Sequence, residues 1–414
     1  MSVPRGEVVV TGLGAVTPVG LTAAETWQAL CAGRSGVGRI TLFDPSALPV
    51  QIAAEVKGFD PAPYVDARSA GRLERFTVFA LAASIQAMAD AGLRMNDADP
   101  DRIGVVMNTG GGGMSLVERE TAVLAERGPR RVSPLFVPMM MPNIGACQIS
   151  ISLGLRGPVI TSTAACAAGV QAVVDALRLI RDGEADVIIA GGSEAALTAL
   201  ALSGMANMRA LSRRNHEPER ASRPFDADRE GFVFGEGAVA LVLERRAHAE
   251  ARGARPYAAV LGGAATADAY HITAPDPEGR GAARAMTLAL QSAGLAPEDI
   301  DYICAHATST PIGDVAEVRA IRQTFGAHAD RVAVSSPKSM VGHLMGAAGA
   351  LSSLVAVKAI HEGIIPPTIN LDRQDPACDL DCVPNVARRA AVRAAIANGF
   401  GFGGQNIVAV FARP

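Results

Sequence analysis

Short runs of apolar and β-branched residues alternate along the chain with longer segments in which apolar residues recur every three to four positions. The short runs predict buried strands and the longer segments predict helices. Strands are expected at residues 7–18, 102–107, 159–161, 185–192, 238–243, 257–261, 301–305 and 332–336. Helices are expected at residues 23–32, 76–92, 167–180, 281–294 and 344–362. This alternation is typical of an α/β fold.

The second part of the pattern resembles the first. A strand at 103–107 runs into the glycine loop 110–113, as the strand at 302–305 runs into the loop of His306, and the segment around Cys166 matches the segment around His343. We therefore predict two duplicated halves, residues 1–254 and 255–414, with parallel strands covered by helices. Ligands bind at the carboxyl ends of such strands, where Cys166, His306 and His343 all fall.

Glycines mark two further features of the pattern. The first strand is expected to end in a tight turn at Gly12 and Gly14, which do not complete a dinucleotide fingerprint. The glycine run 110–113 has no side chains to pack, so it suits a loop pressed against a ligand or another backbone.

Composition narrows the possible functions. The 414 residues are 49% hydrophobic and 19% charged, which indicates a globular protein, and the net charge of −3 gives no reason to expect nucleic acid binding. No apolar run is long enough for a membrane span, and no signal peptide precedes the first strand. Six scattered cysteines indicate neither a disulfide framework nor a zinc site. We expect a cytoplasmic protein without metal or cofactor.

Cys166 stands between the β-branched run 159–161 and the predicted helix from 167. Unpaired N–H groups and the dipole of a helix start favour a thiolate, and the small neighbours Ala165 and Ala167 leave room for a substrate carbonyl. The alternative is that Cys166 is an inert core residue, as most buried cysteines are. A partner base is needed to favour the nucleophile.

Two histidines supply that partner. His306 and His343 follow strands in corresponding loops, and Lys338 lies in the second of these loops. A single histidine at a strand end is more often a structural group than a functional one. Two of them opposite a helix-start cysteine predict a catalytic cluster.

Several stretches resemble a known family. They are residues 163–169 (TAACAAG), 225–232 (FDADREGF), 305–314 (AHATSTPIGD), 335–349 (SSPKSMVGHLMGAAG), 366–370 (PPTIN) and 398–404 (NGFGFGG). Together they make the chain similar, over essentially its whole length, to elongating β-ketoacyl-[acyl carrier protein] synthases. The resemblance implies a thiolase-like fold, with duplicated βαβαβαββ halves forming a five-layered αβαβα core.

The resemblance also implies an activity: transfer of an acyl group to Cys166, decarboxylation of a malonyl thioester on acyl carrier protein, and Claisen condensation to a 3-oxoacyl thioester. His306 and His343 would assist decarboxylation, and the N–H groups of Cys166 and Phe402 would form an oxyanion hole. Lys338 would either tune the electrostatics near His343 or form a salt bridge. Structural support is expected from Asp314 and Glu317.

Other positions carry substrate and partner predictions by the same resemblance. Gly111 and Met205 replace the bulkier residues common in the acyl pocket, so longer or unsaturated chains are expected to fit. Thr308, Thr310 and Phe400 are expected to contact substrate, and Phe136 is expected to reach a neighbouring subunit's pocket. A basic face for the acidic carrier protein is expected at Arg68, Arg72, Arg130, Arg131 and Arg209, each of which is equally well explained as a solvated arginine.

Three alternatives stay open from the sequence. The pathway is fatty acid or type II polyketide synthesis, the latter including polyene systems, and the dimer is a homodimer or a heterodimer with a chain-length factor. A thiolase or a coenzyme A-dependent initiating synthase is disfavoured because those enzymes lack the second histidine at His343. A non-catalytic chain-length partner is disfavoured by Cys166, because such partners lack the nucleophile.

Overall fold

A computed structural model of the chain describes residues 6–94 and 98–414. The elements of its first half are β1 (Val8–Val16), α1 (Ala23–Cys31), β2 (Gly38–Arg39), β3 (Ile52–Ala53), α2 (Ala67–Ala70), α3 (Arg75–Asp90), β4 (Ile103–Asn108), α4 (Met114–Arg127), α5 (Phe136–Met140), α6 (Ile144–Leu153), β5 (Val159–Ile160), α7 (Ala168–Arg181), β6 (Val187–Glu194), α8 (Ala199–Asn207), β7 (Gly237–Arg245) and α9 (Arg246–Ala251).

The elements of the second half are β8 (Ala258–Ala267), α10 (Arg280–Ala293), β9 (Tyr302–Cys304), α11 (Pro311–Phe325), β10 (Ala333–Ser335), α12 (Lys338–Val341), α13 (Ala348–Glu362), β11 (Ile364–Ile365), β12 (Arg388–Arg389), β13 (Ala394–Gly401) and β14 (Gln405–Ala412). The predicted strands and helices are present, with ends that differ by a few residues. The largest differences are in β8, which is longer than expected because it pairs along most of β14, and in α13, which begins four residues late.

Within residues 6–94 and 98–414, ten strands form one sheet in the order β10-β9-β13-β14-β8-β1-β7-β6-β4-β5. The sheet consists of two five-stranded halves with the same order and directions, joined by a short antiparallel pairing of β1 with β8. In each half three strands pair in parallel, and the last strand pairs antiparallel between them and the first strand, so that four of the five strands run in the same direction. The duplication is thus visible in the topology, but the sheet is mixed and not parallel throughout. The boundary at residue 254 stays a prediction.

The two halves enclose a shared helical layer. Helices α7 and α13 pack on each other and contact strands of both halves of the sheet. The outer face of the first half is covered by α3 and α6, and that of the second by α10, with α11 packed beside it. These contacts give five layers, as the family resemblance implies. Because α13 is covered on nearly all sides, its residues are apolar or small around the whole helix.

Gly12 and Gly14 lie inside β1 and do not form the predicted turn. A Cβ at Gly14 would lie 1.9 Å from the Ala83 carbonyl oxygen, and one at Gly12 would lie 2.1 Å from that of Ala87. These glycines allow α3 to approach the strand closely, so their signal is one of packing. The expected contact of the loop 110–113 is present, since a Cβ at Gly113 would lie 2.7 Å from the Met140 Cα.

The described residues also bear on the predictions about membranes and metals. No helix there has both the length and the apolar character needed to cross a bilayer. Within the same residues, no group of three or more metal-ligating side chains is found. All six cysteines are free thiols.

Candidate active site

A cavity of about 340 Å³ lies at the carboxyl ends of the parallel strands, where the two halves of the chain meet. Many of the residues predicted from sequence line it: Cys166, Arg209, His306, Thr308, Thr310, Glu317, His343, Phe400 and Phe402. The fold therefore brings together a thiol from the first half and two imidazoles from the second.

The Cys166 turn is tighter than an ordinary helix start. Residues Ala165–Ala167 form a 3₁₀ turn directly before α7, and Ala165 has a φ of 46°. Left-handed backbone at a non-glycine residue is costly and persists only where the surroundings impose it. The C-terminal loop imposes part of this geometry, since a Cβ at Gly401 would lie 2.8 Å from the Ala164 carbonyl oxygen. This close approach lets the Phe402 N–H donate to the Cys166 sulfur.

Burial outweighs the helix-start effect on the thiol. Desolvation raises the pKa of Cys166 to about 11, while the Phe402 N–H, Lys338 and the residue's own N–H lower it. The backbone donors at the helix start do lower the pKa of Cys166, as predicted. The prediction that the thiolate is favoured is nevertheless wrong, because burial raises this pKa by more. Cys166 is only 4% exposed, and transfer of a charge out of water costs more than these donors return.

The two histidines are neutral and lie edge to face, with ring centroids 5.5 Å apart. Burial and the nearby Lys338 charge hold the pKa of both imidazoles well below the usual range. The Met345 N–H donates to Nδ1 of His343 at 3.2 Å, so the ring proton must sit on Nε2. That Nε2 is buried and has no hydrogen-bond partner among the described residues, which leaves an N–H donor available at the cavity.

Buried carboxylates hold the His306 loop. Glu317 accepts from the N–H groups of His306 at 2.9 Å and Ala307 at 2.6 Å, and from the Asn398 amide at 2.9 Å. Asp314 accepts from the N–H of Ser309, which has a φ of 72°. These contacts are the ones expected of structural supports.

Two further features of Asp314 fit that role. It accepts from the Phe225 N–H at 2.9 Å and lies 3.5 Å from the Arg229 guanidinium. Burial raises the pKa of Asp314 to about 6, against the lowering effect of Arg229. Asp314 therefore connects the loop 225–232, which the sequence presents only as a family motif, to the His306 loop.

Lys338 is 2% exposed and does not form an ion pair within 4 Å in the part of the chain that the structure describes. Burial lowers its pKa, while Cys304, Glu317 and Cys166 raise it. Its charge in turn lowers the pKa values of Cys166 and both histidines. Of the two roles considered, electrostatic tuning agrees with this geometry and a close salt bridge does not.

Gly111 and Met205 are not among the residues that line the cavity. Met205 packs against a buried apolar cluster that contains Cys166. A Cβ at Gly111 would lie at ordinary contact distance, 3.5 Å, from the Met114 methyl group and from a Glu194 carboxylate oxygen. The apolar cluster around Met205 therefore adjoins Cys166, and its role as the acyl pocket stays a prediction.

The predicted docking arginines are exposed, and only Arg209 lines the cavity. None of Arg68, Arg72, Arg130, Arg131 and Arg209 pairs with a carboxylate among the residues described. Phe136 is half-buried at the start of α5 and does not line the cavity. Its contact with a neighbouring subunit's pocket stays a prediction.

Sequence reasoning missed two buried charges near the site. Glu194 ends β6 at 1% exposure and contacts both the glycine loop and the turn after His343. The Arg229 guanidinium donates to the carbonyl oxygens of Thr310 and Pro311, and so holds the chain in place at the start of α11. The signal for Glu194 was a carboxylate at the carboxyl end of an otherwise apolar strand.

Duplicated halves, five layers and a buried thiol beside two neutral imidazoles define a thiolase-like condensing enzyme. Models of the beta-ketoacyl synthase N-terminal and C-terminal domains match residues 5–249 and 257–372. The chain belongs to the beta-ketoacyl synthase family. The predicted activity, that of a decarboxylating ketosynthase and hence an acyltransferase, is confirmed.

Individual relatives agree with this assignment. The chain is 50% identical to the 3-oxoacyl-[acyl-carrier-protein] synthase 2 of Synechocystis sp., over 98% of both chains. Among solved structures it is similar to the ishigamide ketosynthase/chain length factor, with a TM-score of 0.94 and 36% identity over 99% of this chain and 100% of the other. It is also similar to a chain of the structure described as a type II PKS acyl-carrier protein in complex with its ketosynthase bound to the hexaketide. The TM-score is 0.92, with 32% identity over 99% of this chain and 100% of the other.

Proposed function

We propose that Cys166 carries the acyl group and that His306 and His343 promote decarboxylation of a malonyl thioester held on acyl carrier protein. The observation that carries this proposal is the shared cavity, in which the thiol and both imidazoles meet. Attack of the sulfur on the acyl thioester forms the acyl-Cys166 bond and releases the carrier thiol, which takes up the proton of the cysteine.

Neutral imidazoles suit the second step. As the malonyl carboxylate leaves as carbon dioxide, negative charge develops on the thioester oxygen, and the Nε2–H of His343 is positioned to donate to it. His306 is the second donor by its position beside His343. The carbanion then forms a carbon–carbon bond with the acyl carbonyl, and the N–H groups of Cys166 and Phe402 receive the developing oxyanion before the sulfur leaves.

We further propose that an acyl carrier protein docks at the cavity mouth. Arg209 lines the mouth, Thr308 and Thr310 supply hydroxyl groups, and the cavity leads to Cys166, as a tethered thioester requires. One solved relative is a ketosynthase in complex with its acyl-carrier protein. Reversal of the Arg130 and Arg131 charges should raise the KM for carrier-bound substrate and leave the chemical step unchanged.

A dimer is proposed from the free edge of the sheet. β5 is the edge strand of the first half, and its Val159 and Ile160 are more than a third exposed. Ile151 of α6 is 70% exposed and Val137 of α5 is 61% exposed. An unpaired edge strand beside exposed apolar side chains is a typical protein-interaction surface. Its partner is a second copy of this chain or a chain-length factor, and a sedimentation measurement on the purified chain separates the two.

We propose fatty acid elongation in the cytoplasm as the pathway, on the strength of the 50% identity to a 3-oxoacyl-[acyl-carrier-protein] synthase 2. Type II polyketide synthesis is the second candidate, favoured by the small residue at Gly111, which leaves room beside Met114 for a stiff chain.

The test is to incubate the protein with malonyl carrier protein and a panel of saturated and conjugated acyl carrier proteins, followed by intact-protein mass. Saturated chains should add acyl mass to Cys166 and extend by two carbons. Absence of any acyl mass on Cys166 would refute the nucleophile, and preference for conjugated chains would favour the second pathway.

A further inference from the structure

Glu194 is a buried carboxylate with only neutral hydrogen-bond donors. One oxygen accepts from the N–H groups of Gly110 at 2.8 Å and Gly346 at 3.1 Å, and the other accepts from the Thr109 hydroxyl at 3.2 Å and the Gly111 N–H at 3.3 Å. No arginine, lysine or histidine lies within ion-pair distance of it among the described residues. A buried charge without a counter-ion is expensive, so its retention calls for an explanation.

The first of the two elements that Glu194 joins is the loop 109–111, which forms a wall of the predicted acyl pocket. Thr109, Gly110 and Gly111 follow β4, and three of their polar groups point at this carboxylate. A Cβ at Gly110 would lie 2.8 Å from a Glu194 oxygen, so glycine is needed there for the loop to close on the carboxylate. The position of Gly111, and with it the width of the pocket, therefore depends on Glu194.

The second element is the turn that orients His343. Gly346 donates to Glu194, and the adjacent Met345 N–H donates to Nδ1 of His343. Met345 has a φ of 48°, a conformation that needs support from its surroundings. Because the two N–H groups are consecutive, displacement of Gly346 also displaces the donor that fixes the His343 tautomer.

We propose that Glu194 is a positioning residue that holds the acyl-pocket loop 109–111 against the turn 345–346, and so sets the acyl selectivity together with the orientation of His343. The inference rests on the proposed function. Burial raises the pKa of Glu194 to about 7, opposed by its four donors. Each Glu194 oxygen already accepts from two donors, and a proton on either oxygen would face one of them, so the tie is complete in the ionised form.

The test is Glu194→Gln, which keeps the shape but turns one oxygen into a donor that faces two N–H or hydroxyl donors. Two measurements are made: kcat/KM for the longest over the shortest accepted acyl carrier protein, and the rate of malonyl carrier protein decarboxylation. Loss of acceptors for two of the four buried donors should change the selectivity ratio and lower the decarboxylation rate, each by about tenfold.

Glu244→Gln is the matched control. Glu244 is also a fully buried carboxylate, at the opposite end of the β6–β7 pairing, and it accepts from Thr11 and Arg252. This variant should lower the thermal midpoint and leave the selectivity ratio unchanged, which separates positioning from general stability.

If Glu194→Gln does not fold, Thr109→Val replaces it, because it removes a single donor to Glu194; a smaller selectivity change in the same direction is expected. An unchanged selectivity ratio in a folded Glu194→Gln or Thr109→Val variant of an active enzyme overturns the inference alone. Absence of condensation by the wild-type protein overturns the proposed function and this inference with it.

Discussion

The turns before α7 and α13 have the same backbone and different chemistry. Ala165-Cys166-Ala167-Ala168-Gly169 and Met345-Gly346-Ala347-Ala348-Gly349 each begin with a left-handed residue, at φ 46° and 48°, and pass through one 3₁₀ turn into the helix. In the first half this turn presents the Cys166 thiol to the cavity. In the second half the equivalent residue is Gly346, whose N–H binds the Glu194 carboxylate.

This difference shows how a duplicated fold divides its functions. A strained helix start with free N–H groups is a general anion-binding device, and both halves retain it. The first half presents there the sulfur that we propose as the nucleophile, and the second half holds the Glu194 carboxylate there. The second half contributes His306 and His343 instead, so neither half contains the whole site.

Cys166→Ala makes the two turns chemically alike and has the largest expected effect. Loss of the nucleophile should lower the rate of condensation by more than about a thousandfold. The free energy of unfolding should change little, because only one small buried group is removed. Condensation is measured by intact-protein mass, with Cys147→Ala as a control for thiol removal. Retained condensation in Cys166→Ala would refute the assignment of the nucleophile.

His343→Ala tests the contribution of the second half. Removal of a preorganised donor typically costs about a hundredfold to a thousandfold in rate, so decarboxylation of malonyl carrier protein should fall by that factor. Transfer of the acyl group to Cys166 should continue, because it does not use the His343 proton. His216→Ala, at an exposed histidine, should change neither step. Equal loss of both steps would contradict the division of roles.

Gly169→Ala probes the contact between the two helices. A Cβ at Gly169 would lie 2.2 Å from the Ala350 nitrogen, and one at Gly349 would lie 2.5 Å from the Val170 nitrogen, so the helices cross at their glycines. The added methyl group must push the backbones apart, which should lower the free energy of unfolding by roughly 2–3 kcal/mol.

Gly204→Ala is the control for the glycine crossing, because its Cβ would meet no atom within 4 Å inside α8. It should stabilise the protein by about 0.5–1 kcal/mol. Both variants are measured by chemical denaturation. Equal free energies of unfolding for Gly169→Ala and Gly204→Ala would mean that α7 and α13 can accommodate a methyl group where they cross, which would contradict the close contact at Gly169.

The pH dependence of alkylation tests the electrostatics of the Cys166 turn. Because burial raises the pKa of Cys166 to about 11, the thiolate fraction should rise about tenfold per pH unit between pH 7 and 9 without reaching a plateau. Alkylation of Cys166 by a neutral reagent, followed by peptide mass, should therefore increase about a hundredfold over this range. A plateau near pH 7 would mean that the helix-start donors outweigh burial.

The order of elements and the grouping of Cys166, His306 and His343 at one cavity could be predicted from the sequence, because both depend on local signals. These signals are periodicity for the elements and residue type at strand ends for the three side chains. The sequence did not reveal effects that arise only from long-range packing. Gly12 and Gly14 of β1 suggest a turn when only their neighbours in sequence are considered. Their actual role is contact with α3, about seventy residues further along the chain. The pKa of Cys166 depends on burial, and Glu194 acts through loops that follow distant strands.

Gly111→Ile should narrow the acyl side of the site and has the smallest expected effect on rate. The added branch points toward Met114 and Ala196, so acyl chains that fill this space should lose about tenfold in kcat/KM, while short chains keep theirs. The comparison is made with a series of acyl carrier proteins of increasing length. Gly111→Ala is the matched control, because its Cβ stays at ordinary contact distance and should leave the profile nearly unchanged. If both variants accept the same chains as the wild type, the acyl group does not pass Gly111, and the pocket must lie elsewhere around Cys166.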